Sequence, residues 1–345
     1  MSSTIGNGEA SQPLEVPIVD LSLLHQSSSQ SSRSLVIQQI HQACLQLGCF
    51  QIINHGINEM VMEEAMEVNS EFFKMPMEYK EEFISDDINK PVRFNAIEGS
   101  HPEAGKFLRH FLKLYAHPLP DFLPCWPAKP PNYRDKMGIY AKEVKKLGTR
   151  LLGVIMESLK LGPTYLRESF DKGFQVVAVN GYPPSSQTDI NMGIPPHTDH
   201  SIITILLQSC SGLHARPRSG EGAGHGDWMV VPEVKGALVV LVGDHLEVLS
   251  NGLYKSVVHQ AAPSRGGTRF SIASLHSLAM EQIVEPAPEL VDDEHPTGYE
   301  GSSLRDYLDY LSSKKDQTYI ENLKLRYVKE NNFEDNPAPL CFIKP

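Results

Sequence analysis

No apolar run in the 345 residues approaches the roughly 20 needed to cross a bilayer, and the first dozen residues are polar with no apolar core. No membrane partner and a cytoplasmic location are therefore expected. Basic residues are outnumbered: 31 Lys and Arg against 42 Asp and Glu give a formal charge of −11. Without a basic footprint to displace counterions, no nucleic-acid partner is expected. Cysteine is scarce, and Cys44, Cys49, Cys125, Cys210 and Cys341 form no C-x-x-C pair. That excludes zinc-ribbon spacing, fits a reducing compartment and suggests small buried hydrophobes. There is no Asn-x-Ser/Thr sequon, no solenoid-length repeat and no sustained heptad, so a monomer is the expectation. The hydrophobic content of 41% still suffices for a sizeable core.

Two textures divide the chain. After the polar tail 1–14, residues 16–21 and 50–54 read as strands, and the Ser-rich 26–34 reads as a loop. Val36, Ile40, Ala43, Cys44 and Leu47 recur at helical spacing with Gly48 placed to stop the helix, and Val61, Ala65, Val68 and Phe72 mark a second. The longest helical pattern spans 137–161, with Gly162 just past it. From Phe174 to Leu278 the chain turns to short Val/Ile/Leu runs at 176–179, 202–207, 237–242, 246–249 and 270–275, separated by Gly, Pro, Ser and Asn. These read as strands of a sandwich or barrel. Leu304, Tyr307, Leu308 and Leu311 then form a closing helical stripe.

Chemistry concentrates in the β-rich part. In Pro195-Pro196-His197-Thr198-Asp199-His200, His197 and Asp199 are two apart, so on extended backbone an imidazole and a carboxylate can reach one cation. The triplet alone is a weak signal, and more often a surface turn. In Asn251-Gly252-Leu253-Tyr254-Lys255-Ser256-Val257-Val258-His259, Asn-Gly reads as a hairpin turn that puts His259 at the end of a returning strand, with Tyr254 and Lys255 as strand residues. A third ligand there would complete two imidazoles and one carboxylate, a set that leaves open positions on iron. By itself His259 could be a core histidine. Arg269-Phe270-Ser271 puts a guanidinium fork and a hydroxyl on one face, a receptor for a carboxylate. Asn180-Gly181-Tyr182-Pro183 places Asn180 and Tyr182 on one face of another strand, where the Tyr hydroxyl could serve the same anion.

In this order, Asn180-x-Tyr182-Pro183, His197-Thr198-Asp199, Asn251-Gly252-x-Tyr254-Lys255-Ser256-x-x-His259 and Arg269-x-Ser271 closely resemble the plant 2-oxoglutarate and Fe(II)-dependent dioxygenases, such as flavonol synthase, anthocyanidin synthase, hyoscyamine hydroxylase and gibberellin oxidases. The segments 17–21, 48–56 and 72–76 resemble the family's N-terminal landmarks, so the likeness spans most of the chain. It implies an α+β fold: a double-stranded β-helix (jelly-roll) core over 173–280, a helical N-terminal region with a few strands over 1–172, and a helical tail over 281–345. It implies that His197, Asp199 and His259 bind Fe(II), and that Arg269 and Ser271, with Tyr182 and Asn180, hold 2-oxoglutarate. O2 would be the co-reactant and ascorbate the reductant. The activity implied is hydroxylation, desaturation or demethylation of a small hydrophobic plant metabolite, with 2-oxoglutarate leaving as succinate and CO2. Two alternatives stay open: an Fe(II) oxidase on the same scaffold that does not use 2-oxoglutarate, and a silent small-molecule-binding protein.

Departures from the family pattern are Gly181 where a second Tyr is usual, His214 for a Gln, Gln260 for an Arg, and a longer connection over 212–228 whose glycines suggest a mobile hairpin. His200, His214, His225 and His245 are expected as non-ligands and His55 as structural. Phe94, Phe107, Arg109, Phe111 and Leu275 are the expected substrate contacts. Leu275 replaces an aromatic that is common in relatives, which removes a stacking surface and favours a generic hydrophobic substrate over a flavonoid.

Overall fold

A computed structural model describes residues 15–24, 29–101, 105–185, 192–216, 228–313, 318–327 and 342–343. The polar tail 1–14, the glycine-rich 217–227 with Arg218 and His225, and Cys341 lie outside the described residues.

Helices are α1 Gln30–Gln46, α2 Glu59–Lys74, α3 Leu119–Phe122, α4 Tyr133–Ser158, α5 Arg167–Asp171, α6 Asp244–Leu249, α7 Leu304–Ser312 and α8 Tyr319–Leu323. Strands are β1 Ile18–Asp20, β2 Cys49–Ile53, β3 Val92–His101, β4 Gly105–His117, β5 Gln175–Tyr182, β6 Ile194–His197, β7 Ile203–Gln208, β8 Leu213–Arg216, β9 Met229–Val230, β10 Leu238–Val242, β11 Val258–Ala261 and β12 Arg269–His276, with a short β13 Arg326–Tyr327 and β14 Phe342–Ile343 pair. Eight strands form one sheet in the order β1-β2-β10-β7-β12-β5-β4-β3, and β6-β11-β8-β9 form a second. Apart from the parallel β1–β2 pair, neighbours in both sheets are antiparallel. The fold is a mixed α/β jelly-roll in which strands from the first 117 residues extend the larger sheet.

The larger sheet is used on both faces, and the two-residue period of a strand sorts its side chains. Ile203, Ile205 and Leu207 of β7, Val177 and Val179 of β5, Val240 and Val242 of β10 and Ile272 of β12 join the helical core built on α1, α2 and α4. The alternate residues Leu206, Val239 and Leu241 face the other way and meet Leu213, Ala215, Val231 and Val257 in a second apolar cluster. In the helical layer, Phe72 of α2 meets the rings of Phe73, Phe83, Phe94 and Tyr133 at centroid distances of 5.8, 6.4, 5.9 and 5.7 Å.

Several expectations are corrected. The Ser-rich 26–34 is not loop throughout, because the Ser29 side chain accepts from Ser32 N–H and starts α1 at Gln30. Residues 246–249 are helix, not strand: Asp244 and Glu247 sit in the first turn, where acids suit the helix dipole, and all six residues of α6 are buried. Asn251-Gly252 is therefore a helix stop and not a hairpin turn. With φ of 49° and 79°, the pair donates Asn251 N–H to Val248 O and Gly252 N–H to Glu247 O at 2.9 and 2.8 Å, a Schellman closure. Tyr254 and Lys255 lie in the following connection, and His259 is the second residue of β11 and not at a strand's end. Cys44 and Cys49 are buried, whereas Cys125 is exposed and Cys210 half-buried. His55 holds a turn, its Nδ1 accepting from Ile57 N–H and its Nε2 lying 3.0 Å from Gly236 O.

Phe72→Ala opens a cavity among four rings and is expected to lower stability by about 3–5 kcal/mol in urea denaturation; a loss below 1 kcal/mol would mean that the helical layer closes over the gap.

Candidate active site

Register across the larger sheet sets out the wall of a cavity of about 490 Å³. Arg269 pairs with Tyr182 and Arg109 with Ile97, and the β4–β5 register that pairs His110 with Gly181, carried one residue on, puts all four in one row across β12, β5, β4 and β3. Ser271, Asn180, Phe111 and Asn95 form the next row, then Ala273, Ala178, Lys113 and Arg93. The smaller sheet closes the other side with Ile194, His197, Leu213, His259 and Ala261, and α7 adds Leu304, Tyr307, Leu308 and Leu311.

His259 pairs directly with His197 across β11 and β6. Their rings lie 4.2 Å apart between centroids, and each Nε2 is 3.9 Å from Asp199 Oδ1. The three ligand-type atoms all fall within 4.8 Å of one another, and this is the one such His/Cys/Asp/Glu group among the described residues. Each imidazole donates Nδ1–H to the carbonyl two residues earlier, His197 to Pro195 O at 2.8 Å and His259 to Val257 O at 3.1 Å. That choice of tautomer leaves both Nε2 lone pairs facing Asp199, the arrangement typical of metal-bound histidine. Burial first, and then His259, hold His197 down at about 3. Burial pushes the Asp199 carboxyl up, but His259, His197 and the Thr204 hydroxyl outweigh it, so Asp199 stays below its ordinary value. Two imidazoles and one carboxylate form a donor set that fits Fe(II).

Beside this group, Arg269 is 1% exposed. It donates Nε–H to Cys210 O at 3.1 Å and Nη2–H to Gln208 Oε1 at 3.0 Å, while Nη1 is buried with no partner. Its guanidinium carbon lies 5.0 Å from the centre of the Tyr182 ring, and Tyr182 Oη and Ser271 Oγ are 3.4 Å apart. A fixed fork with one free arm and two hydroxyls at hand is chemically suited to a carboxylate. Gly212, at φ +147°, allows this packing, since a Cβ there would sit 2.7 Å from Arg269 Nε.

A second cationic group faces the cavity from β3 and β4. Arg109, Lys113 and Arg93 surround the Phe111 ring at 5.3, 5.8 and 6.0 Å from its centroid. Arg109 donates Nη1–H to Asn180 Oδ1 at 3.2 Å, and Arg93 Nε is buried without a partner. Burial first, and then Arg109 and Arg93, push the Lys113 ammonium down to about 7. A cation–π contact offsets about 0.5–2 kcal/mol, less than the several kcal/mol of removing an ion from water. The ring therefore leaves most of that charge uncompensated.

Of the residues expected as site residues, the structure brings His197, Asp199, His259, Arg269, Ser271, Tyr182, Asn180, Arg109, Phe111 and Leu275 into this one cavity. Phe94 and Phe107 are corrected. Phe94 has the opposite parity on β3 and packs on Phe72 and Phe73 in the core. Phe107 lies toward the turn end of the β3–β4 hairpin, where its ring covers Gly99, and it does not line the cavity. Arg93, Lys113, Thr204 and Tyr307 line the cavity unforeseen. The alternation of Leu108, His110, Leu112 and Leu114 with Arg109, Phe111, Lys113 and Tyr115 is the strand signal that could have found Lys113. Of the spare histidines, His200 stacks on Tyr307 at 4.0 Å and lines the cavity. His245 is buried with neither ring nitrogen partnered, and His214 Nδ1 lies 3.4 Å from Gln260 Nε2.

Residues 173–277 match the 2OG-Fe(II) oxygenase superfamily, and residues 16–133 match the family described as non-haem dioxygenase in morphine synthesis N-terminal. The chain belongs to the plant 2-oxoglutarate and Fe(II)-dependent dioxygenases and is an oxidoreductase of that class. It is 44% identical over 316 residues to rice (Oryza sativa subsp. japonica) 2-oxoglutarate-dependent dioxygenase 21, chloroplastic, covering 91% of this chain and 92% of that protein. To flavanone 3-dioxygenase 3, also from rice, it is 42% identical over 316 residues, covering 91% and 94%. Among solved structures, JOX2 in complex with 2OG, Fe and JA superposes with a TM-score of 0.77 at 27% identity, covering 90% of this chain and 89% of that one. The family uses Fe(II) and 2-oxoglutarate. No helix among the described residues is long and apolar enough to cross a membrane.

His259→Ala is expected to weaken Fe(II) binding by about 100-fold or more in anaerobic calorimetry, with the far-UV circular dichroism unchanged, whereas His214→Ala leaves the metal stoichiometry intact. Equal iron binding by both variants would remove His259 from the ligand set.

Proposed function

We propose that His197, Asp199 and His259 hold Fe(II), that Arg269, Ser271 and Tyr182, with Asn180 beside them, hold 2-oxoglutarate, and that the enzyme hydroxylates, desaturates or demethylates a small hydrophobic plant metabolite. The observation that carries this reading is the unpartnered Nη1 of buried Arg269, next to two hydroxyls and in the same cavity as the three converging ligands. When bound, iron and 2-oxoglutarate together supply O2 activation, with the cosubstrate leaving as succinate and CO2. The chain's own contribution is placement. Arg269 is held by Cys210 and Gln208 so that its free arm points where an anion can be received. The His197 and His259 carbonyl contacts fix the ring orientation and leave each Nε2 toward Asp199. Val176, Leu206, Leu275, Leu304 and Leu308 give the cavity apolar surface, which favours a hydrophobic substrate and keeps bulk water away from the reacting carbon. The relative named flavanone 3-dioxygenase 3 supports an aromatic metabolite as one substrate class. We place the protein in the cytoplasm as a monomer, with ascorbate as reductant, although one relative's name carries "chloroplastic".

Adding 2-oxoglutarate to the Fe(II)-loaded protein under nitrogen should produce a weak visible charge-transfer band that is lost in Asp199→Ala. Iron binding with no band would favour the oxidase that does not use 2-oxoglutarate, and no iron binding would favour the silent binding protein. Arg269→Ala should raise the 2-oxoglutarate requirement by about 10- to 100-fold, since hydrogen bonds to a charged group are worth about 1.5–3 kcal/mol. An unchanged requirement would move the cosubstrate to other residues.

A further inference from the structure

The cavity carries two separate cationic features. Arg269 lies on β12, while Arg109 and Lys113 lie on β4 and Arg93 on β3. In the row Arg269–Tyr182–Arg109, the second arginine is two strands away from the first, about 10 Å at the usual strand spacing. A dicarboxylate with one end on Arg269 and the other at the His197, Asp199 and His259 group has no further carboxylate for the β3–β4 group.

Among the described residues no ion pair joins Arg93, Arg109 or Lys113 to an acid. Asp86 and Asp87, the acids that act on Arg93, accept hydrogen bonds from Asn95 and Asn89 and form no ion pair with it. Asp199, the acid that acts on both Arg109 and Lys113, belongs to the converging ligand set. In a chain of net charge −11, two arginines and a lysine gathered around one buried ring inside a cavity call for a counter-charge from outside the chain.

We propose that the substrate is a hydrophobic carboxylic acid, whose carboxylate is received by Arg109, Lys113 and Arg93 over the Phe111 ring and whose apolar body lies toward Leu275 and α7. This rests on Arg269 being the 2-oxoglutarate receptor and adds to it a second, distinct anion subsite. Arg109 is well suited to the part, because Asn180 fixes one arm of its guanidinium and the remaining donors can form a paired contact with a carboxylate.

The test begins with a 2-oxoglutarate titration of the Fe(II) protein under nitrogen, which reads the cosubstrate site alone; no binding there refutes the proposed function and, with it, the premise of a second site. With 2-oxoglutarate saturating, 2-naphthoate and its uncharged counterpart 2-naphthamide are then titrated by calorimetry. The acid should bind about tenfold or more tighter than the amide. Arg109→Met and Lys113→Met should each cost the acid about fivefold or more, with the amide unchanged. Lys113→Arg should keep the preference, which separates loss of charge from loss of fold. Equal affinity for the two probes, no binding of either, or displacement of the acid by further 2-oxoglutarate would each overturn the second anion subsite while leaving the first reading standing.

Discussion

His259 faces His197 across two hydrogen-bonded strands, and Asp199 follows two residues later. Two imidazoles and a carboxylate held this close inside an apolar shell are unstable company unless their protonation is controlled, because burial and mutual repulsion oppose a second positive charge. Backbone carbonyls accept the Nδ1–H hydrogen bonds and so leave the Nε2 atoms on the inside. The pairing of β6 with β11 thus sets both where the ligand atoms stand and which form they take. Among the described residues, the larger sheet supports that strand pair and, with α7, shapes the space in front of it.

The larger sheet supplies that support by dividing labour between its faces. Toward α1, α2 and α4 it presents Val, Ile and Leu, whose burial stabilises the sheet's position. Toward the cavity, the same strands present Arg269, Ser271, Tyr182, Asn180, Arg109 and Lys113. Polar groups are tolerable there because they find fixed partners, as Arg269 does with Cys210 and Gln208, or because they face a space that a ligand can enter. The protein is acidic as a whole, yet its cavity wall is basic, so the attraction it offers an anion is local.

Much of this was legible from residue order. Long helical stripes such as Met137 to Leu159, and β-branched runs such as 176–179 and 202–207, declare their period without help from the rest of the chain. So do Arg269-x-Ser271 and Asn180-x-Tyr182, since residues two apart share a strand face wherever that strand lies. Residues 246–249 were not legible, because a short apolar run fits strand and helix alike, and only the caps at Gly243 and Asn251-Gly252 decide between them. Phe94 looked like a pocket residue by its chemistry. Its parity on β3 turns it into the aromatic core instead, and parity is knowable only once the strand's register against β4 is set.

The sequence by itself determined the residue types, the order in which the polar motifs arrive and the local periods that make each segment helix or strand, because these follow from side-chain chemistry and backbone geometry over a few residues. Only the tertiary structure decided which faces meet. It set His197 opposite His259, separated by 62 positions in the chain, and it brought Arg93, Arg109 and Lys113 around one ring. The reason is physical: pairing between distant strands, and burial of one face of each, are cooperative properties of the whole sheet that no short segment contains.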